Sequence, residues 1–136
     1  KRLHPWGDAP WDPARGNLCE KSCHRADTSL VDWVEDQDDK HGRTAPVGSF
    51  QPNAFGLYDM LGNAGEFCAD GYDPDCYAAS PEEDPTGPDR GTAGHVVRGG
   101  TFLNDARLVR ASSRVECRDT YRNYVIGFRV ALEQRP

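Results

Sequence analysis

Outside residues 17–41 and 101–126, glycine and proline break this chain at short intervals. Fourteen glycines and ten prolines are spread through 136 residues, which leaves little room for long helices or strands and hands much of the fold to turns and irregular loops. The length suits one domain and cannot supply two separate cores. Aromatic residues make up 10% of the sequence, enough to supply a compact core between the loops. The formal net charge is -6 and lysine occurs only at Lys1, Lys21 and Lys40. With no basic stripe to neutralise a phosphate backbone, nucleic acid is not an expected partner. No apolar run approaches the roughly 18 residues of a membrane helix, so membrane insertion is not expected either. The opening Lys1–Asp8 lacks the charged-then-apolar order of a signal peptide.

Local patterns divide the chain into segments. Residues 1–17 are so rich in Trp, Pro, Gly and Asp that they predict a folded loop anchored by Trp6 and Trp11. Leu30, Val31, Trp33 and Val34, behind Asp27 and Thr28 as caps, predict two helical turns over 27–35. The acidic run Glu35–Asp39 reads as a solvated loop or as part of a cation site. Residues 44–50 read as extended, and Leu57, Tyr58 and Leu61 predict one helical turn before Gly62. A strand starts over 66–70, and 72–94 has the composition of a long surface loop, the kind of segment in which binding residues concentrate. A second strand with a Gly99-Gly100 bulge spans 96–102, and a third spans 125–132 with Phe128, Val130 and Leu132 on one face. Between these two strands, Arg107, Arg110, Arg114, Arg118 and Arg122 recur every three or four residues. Such clusters more often form structural ion pairs than ligand clamps.

Cysteine occurs at 19, 23, 68, 76 and 117, an odd count that leaves at least one thiol outside any internal pairing. Cys19, Cys23 and His24 have no second Cys/His pair at zinc spacing, so an inert pair or a local disulfide is the better reading.

Four segments carry a longer signature: His-Pro-Trp-Gly-Asp at 4–8, Thr-Ala-Pro-Val-Gly-Ser-Phe-Gln-Pro-Asn-Ala-Phe-Gly-Leu-Tyr-Asp-Met-Leu-Gly-Asn at 44–63, Val-Arg-Gly-Gly-Thr-Phe at 97–102 and Ile-Gly-Phe-Arg-Val-Ala at 126–131. In this order and spacing they resemble the formylglycine-generating-enzyme, or sulfatase-modifying-factor, family. The resemblance implies an α+β, C-type-lectin-like fold, loop-rich with short strands and few short helices. Residues 1–136 match the carboxy-terminal portion of one such domain, without the segment that precedes Pro-Trp-Gly-Asp in the family. It also implies structural calcium, with Asn17, Asp39 and the carbonyls of Leu18 and His41 as one ligand set, and Asp59, Glu66 and the carbonyls of Gly62 and Ala64 as another. Both sets are all-oxygen, as a hard cation of this size requires.

Formylglycine-generating members of the family use two cysteines shortly after the Gly-Gly motif. This chain has Asn104 there, and close to Val109 at the second position; neither forms a thiolate. The four histidines are scattered, and no paired-carboxylate or Ser-His-Asp arrangement stands out. The reading is therefore a non-catalytic, calcium-stabilised domain binding a protein or other macromolecular ligand. A more specific form is a resemblance to the variable proteins of diversity-generating retroelements, whose variable interval corresponds to 101–125 here. Adenine-directed mutation cannot produce Lys, Gln, Glu, Met or Trp at such positions, and 101–125 holds only Glu116 from that group. Leu103, Asn104, Asp105, Leu108, Ser113, Val115, Thr120, Tyr121, Asn123 and Tyr124 are the candidate ligand-binding residues, a mixture typical of adaptable binding surfaces on a rigid frame. Two alternatives remain: a formylglycine-type or related metal-dependent oxidase completed by a further segment, and a sensor or interaction module working beside other domains of a larger bacterial protein such as a kinase.

Overall fold

The computed structural model describes residues 4, 6–7, 9–30, 33–34, 36–88 and 94–132. Regular structure is sparse. Four short strands, β1 (Gly65–Gly71), β2 (His95–Arg98), β3 (Val115–Cys117) and β4 (Ile126–Phe128), form one sheet in the order β3-β2-β1-β4. β2 runs antiparallel to both β1 and β3, whereas β4 lies parallel to β1. Two short helices, α1 (Lys21–Ala26) and α2 (Cys76–Ala79), and a single 3-10 turn at Pro13–Arg15 complete the set. This is the loop-rich α+β arrangement expected, with a small mixed sheet.

Two apolar clusters hold the loops. Trp11, Leu18, Leu61 and Val109 form one, with Trp6 packed against it, and the Trp6 and Trp11 rings meet edge to face at 5.0 Å. The expected aromatic anchoring of the opening loop is thus present, although residues 1–3, 5 and 8 lie outside the described part. Cys19, Cys23 and Phe102 form the second cluster, flanked by Leu30, Trp33, Leu103 and Val125. Cys19 and Cys23 are joined as a disulfide, and His24 hydrogen-bonds through Nδ1 with the Leu30 carbonyl at 3.0 Å and stacks on Trp33.

Several local expectations are corrected. The helix predicted at 27–35 lies earlier, at Lys21–Ala26; Asp27 ends it by accepting hydrogen bonds from the Ser29 backbone N–H and hydroxyl at 3.0 and 2.6 Å. Of the predicted span, 31, 32 and 35 lie outside the described residues. The turn predicted at 57–61 is not helical, because Asp59 adopts φ +54° while its carboxylate accepts the backbone N–H groups of Gly48 and Phe50. Leu57, Tyr58 and Met60 stay exposed, and only Leu61 enters the core. The strand predicted over 125–132 is confined to Ile126–Phe128, and Phe128, Val130 and Leu132 are all exposed. The arginine run 107–122 forms no helix; apart from β3 it is irregular.

Glycine is obligatory where segments meet at Gly62. Its φ of +72° suits glycine, and a Cβ there would collide with the Asn17 carbonyl oxygen. Gly48 also has positive φ, +76°, but faces open space. Gly62→Ala is therefore expected to cost about 3 kcal/mol or more, against about 1–2 kcal/mol for Gly48→Ala, as measured by urea unfolding. Equal losses would show that the close approach at Gly62 does not constrain the fold.

Candidate functional site

Two groups of candidate residues emerge, one buried and one open. The buried group centres on Asn17, Glu20 and Asp39. Asn17 and Glu20 are fully inaccessible to solvent. The Asn17 amide donates to the Arg43 carbonyl at 2.7 Å and to Asn63 Oδ1 at 3.2 Å. Asp39 accepts the His41 backbone N–H at 2.8 Å and that of Leu18, so the fold brings together the four residues Asn17, Leu18, Asp39 and His41 that the family resemblance singled out. Three buried oxygens here, Asn17 Oδ1, Glu20 Oε2 and Asp39 Oδ2, have no hydrogen-bond partner. Such orphaned acceptors are costly without a cation or a proton. Burial pushes the Glu20 carboxyl up to about 7, against the opposing hydrogen bond from the Trp11 indole, and it also raises Asp39. Glu20 was missed as a site residue because nothing in the local sequence shows that it points inward. The neighbouring acidic run is divided in its roles: Asp38 is held well below the usual carboxylate range, chiefly by the Ser22 hydroxyl, with Lys40 and Arg25 alongside.

The second calcium set is arranged differently. Glu66 is paired with Arg129 at 2.7 Å, and the same guanidinium donates to the carbonyls of Tyr58 and Asp59 at 2.9 and 3.1 Å. Gly62 and Ala64 lie on the chain between them, Ala64 beside the small hollow that Asp59, Glu66 and Arg129 also line. Glu66 thus has an internal cation, while the Asp59 carboxylate is held by the Gly48 and Phe50 N–H groups.

The open group is a cleft of about 1360 Å³ to which all four strands and the segment 100–126 contribute. Seven of the ten candidate residues line it: Leu103, Asn104, Leu108, Ser113, Val115, Thr120 and Tyr121. The other three face elsewhere. Asp105 is buried, and Arg107 holds its carboxyl below the usual range; Asn123 donates to the Tyr121 hydroxyl at 2.6 Å; and Tyr124 packs near Phe102 at 6.1 Å. Sequence reasoning missed Pro74 and Tyr77, which reach the cleft from the 72–94 loop. Arg110, Arg114, Arg118 and Arg122, expected in structural ion pairs, line the cleft together with Arg98.

The positions that matter for thiol chemistry are structural here. Asn104 Oδ1 accepts the Thr101 N–H at 2.9 Å, its carbonyl accepts the Cys19 N–H at 2.9 Å, and Val109 is fully buried in the Trp11 cluster. Burial pushes the thiols of Cys68 and Cys117 up, away from thiolate character.

The sequence profile of the family described as "Sulfatase-modifying factor enzyme 1-like domain" matches residues 1–134, and the chain belongs to that family. It is 38% identical over 104 residues to a formylglycine-generating enzyme of Streptomyces coelicolor, covering 75% of this chain and 30% of that protein. It is 39% identical over 90 residues to serine/threonine-protein kinase pkn1 of Chlamydia caviae, covering 65% of this chain and 14% of the kinase. The chain thus spans a third or less of these relatives' length. Among solved structures, PvdO of Pseudomonas aeruginosa superposes with a TM-score of 0.65 at 26% identity, over 89% of this chain and 40% of that one. Treponema denticola variable protein 1 gives 0.51 at 25% identity, over 76% of this chain and 36% of that one.

The buried carboxyl generates a pH prediction for calcium-free protein. Glu20 titrates near 7 in the fold against its ordinary value of 4.5, so the native state holds this proton more tightly. Its full stability is present below about 4.5 and is lost as pH rises through about 7. Between pH 5 and 7.5 the calcium-free wild type is expected to lose on the order of 2–3 kcal/mol that Glu20→Gln does not lose. Parallel stability curves for the two proteins would contradict this placement of Glu20.

Proposed function

We propose that this chain is a non-catalytic, calcium-stabilised ligand-binding domain whose binding surface is the cleft walled by residues 101–125. The observation that carries the reading is the convergence of Leu103, Leu108, Val115 and Tyr121 on one large cleft with the last three of these side chains well exposed. Exposed aliphatic and tyrosine side chains beside serine and threonine on a fixed frame suit recognition of a macromolecular surface. The likeness to a variable protein supports extending the reading to a diversified binding surface over 101–125. The match to a segment of a kinase supports a place for such a module within a larger protein.

Binding is favoured over formylglycine formation because Asn104 and Val109, where that chemistry needs thiols, instead cap a turn and fill the core. Calcium fits the first residue set best. Its unpartnered Asn17 and Asp39 oxygens would join the Leu18 and His41 carbonyls around the ion, which would neutralise buried charge and pin loops that no regular element holds. In the other set Glu66 is already paired with Arg129, so the calcium proposal rests on the first set.

Elemental analysis of the intact protein is expected to return calcium and no copper, with a melting temperature that falls on chelation, and Asp39→Asn is expected to remove that fall. Bound copper, together with formylglycine formation on a cysteine peptide, would overturn the binding-domain reading. Binders selected from a random displayed-peptide library are expected to lose at least about tenfold in affinity to Tyr121→Ala at unchanged melting temperature. Selected binders indifferent to Tyr121→Ala and Leu108→Ala would place the binding surface elsewhere.

A further inference from the structure

Arg98, Arg110, Arg114, Arg118 and Arg122 all line the cleft. Among the described residues, none of the five forms an ion pair with a carboxylate. Neutral partners hold four of them instead. Arg98 donates to the Ala111 carbonyl at 2.9 Å and to the Tyr77 hydroxyl at 2.6 Å. Arg114 donates to the Asp73 carbonyl at 3.0 Å while its guanidinium lies 4.8 Å from the Tyr77 ring centre and 5.2 Å from that of Tyr72. Tyr77 is therefore flanked by two cations, one at its hydroxyl and one at its ring. Arg122 donates to the Asp119 and Tyr121 carbonyls at 2.9 and 3.2 Å, and Arg110 to the Ser113 hydroxyl at 3.4 Å. Glu116 is the one carboxylate residue in the lining.

This concentration of positive charge runs against the rest of the molecule, whose formal net charge is -6. Several acidic side chains elsewhere are paired to their own cations, as Glu66 is to Arg129, Asp38 to Arg25 and Lys40, and Asp105 to Arg107. Among the described residues of a chain with a surplus of carboxylates, the five guanidiniums of one cleft nevertheless have no carboxylate ion pair. Like charges gathered this way repel one another and weaken the fold unless an anion joins them. Guanidinium is the group suited to forked recognition of carboxylates, and carbonyl and ring contacts orient it without neutralising it.

We infer that the cleft takes an acidic polypeptide segment, with carboxylates of a partner protein engaging the five arginines and its apolar side chains meeting Leu103, Leu108 and Val115. The inference rests on the reading of the cleft as a ligand site and names the chemistry of its ligand. The cleft exceeds the roughly 300–1,000 Å³ of ordinary small-molecule sites at about 1360 Å³, which suits a chain segment. The acidic remainder of the protein repels long uniform polyanions such as nucleic acid or an anionic bilayer. A short segment that enters the cleft meets five lining arginines against Glu116 as the carboxylate of the lining among the described residues, and within a Debye length, about 8 Å at physiological salt, that local excess of positive charge outweighs the more distant acidic surface.

The test uses the intact protein and two labelled peptides that alternate with tyrosine and leucine, one through glutamate and the other through glutamine, read by fluorescence anisotropy. The glutamate peptide is expected to bind at least about tenfold tighter than the glutamine peptide and to weaken as salt is added. The Arg110→Glu/Arg118→Glu variant, altered at two exposed side chains, is expected to abolish that preference at unchanged melting temperature. Equal binding of both peptides, insensitive to the charge reversal but lost in Tyr121→Ala, would overturn the acidic ligand while leaving the cleft as the binding surface. Absence of binding by the glutamate peptide would also overturn it, whether or not inorganic phosphate binds; phosphate binding alone would assign the arginines to a small anion. In that case the peptide-library selection described above still decides whether the cleft is a binding surface.

Discussion

The fold depends on one polar crossing, the side chain and backbone of Asn63. Its Oδ1 accepts the Ala45 N–H at 2.8 Å and the Asn17 amide at 3.2 Å, and its own amide donates to the Ala45 carbonyl at 3.2 Å. Its backbone N–H reaches the Asn17 carbonyl at 2.8 Å, and its carbonyl accepts the Phe102 N–H at 3.0 Å. Next to it, the Gly62 N–H donates to the Gly99 carbonyl at 2.8 Å. Four distant segments therefore meet at two residues. With strands of three to seven residues and helices of six and four, no long ladder could do this work, and a half-buried side-chain amide whose oxygen and nitrogen are both hydrogen-bonded replaces it. Asn63 has φ +61°, a conformation that asparagine tolerates better than most residues.

The same crossing sets the cleft. Phe102 is fixed by Asn63 and buried in the disulfide cluster, and Asn104 is fixed by the Cys19 N–H, so the segment leaving the sheet after Arg98 starts from a rigid base. Between Val109 and β4 the backbone is held by local turns apart from β3, which pairs with β2, and its side chains are largely exposed. A rigid base with a permissive outer wall lets residues such as Leu108 and Tyr121 vary or adapt without disturbing the core, since neither belongs to a buried cluster. The arginines follow the same division. Arg98, on β2, is positioned by carbonyls and a phenol, whereas Arg110 and Arg118 are solvent-exposed.

Much of the architecture was legible in the sequence because glycine, proline and long apolar motifs carry strong local information. The strand at 66–70 appears where those signals put it, whereas the strand expected over 96–102 ends at Arg98, before the positive-φ pair Gly99-Gly100, and the loop expected over 72–94 carries the short helix α2. The failures have a common cause in side chains that compete with backbone structure. Asp27 ends a helix by capping Ser29, and Asp59 takes two loop amides and a left-handed backbone. Neither is visible from periodicity. Most of the candidate positions in 101–125 line the cleft, whereas Asp105 is buried against Arg107 and the exposed Asn123 and Tyr124 lie outside the lining. The arginines went the other way, because spacing alone cannot show whether a carboxylate lies across from a guanidinium. Glu20 stayed hidden because its burial comes from loops distant in sequence.

Backbone hydrogen exchange, compared between the wild type and Asn63→Gly, tests most directly whether this crossing holds the cleft. Glycine keeps the positive φ and removes only the amide side chain. The account predicts that amides at 99–104 exchange faster together with those at 17–19 and 43–45, because all hang from the same side chain and its neighbouring bonds. Acceleration confined to 43–45, with 99–104 still protected, would contradict it.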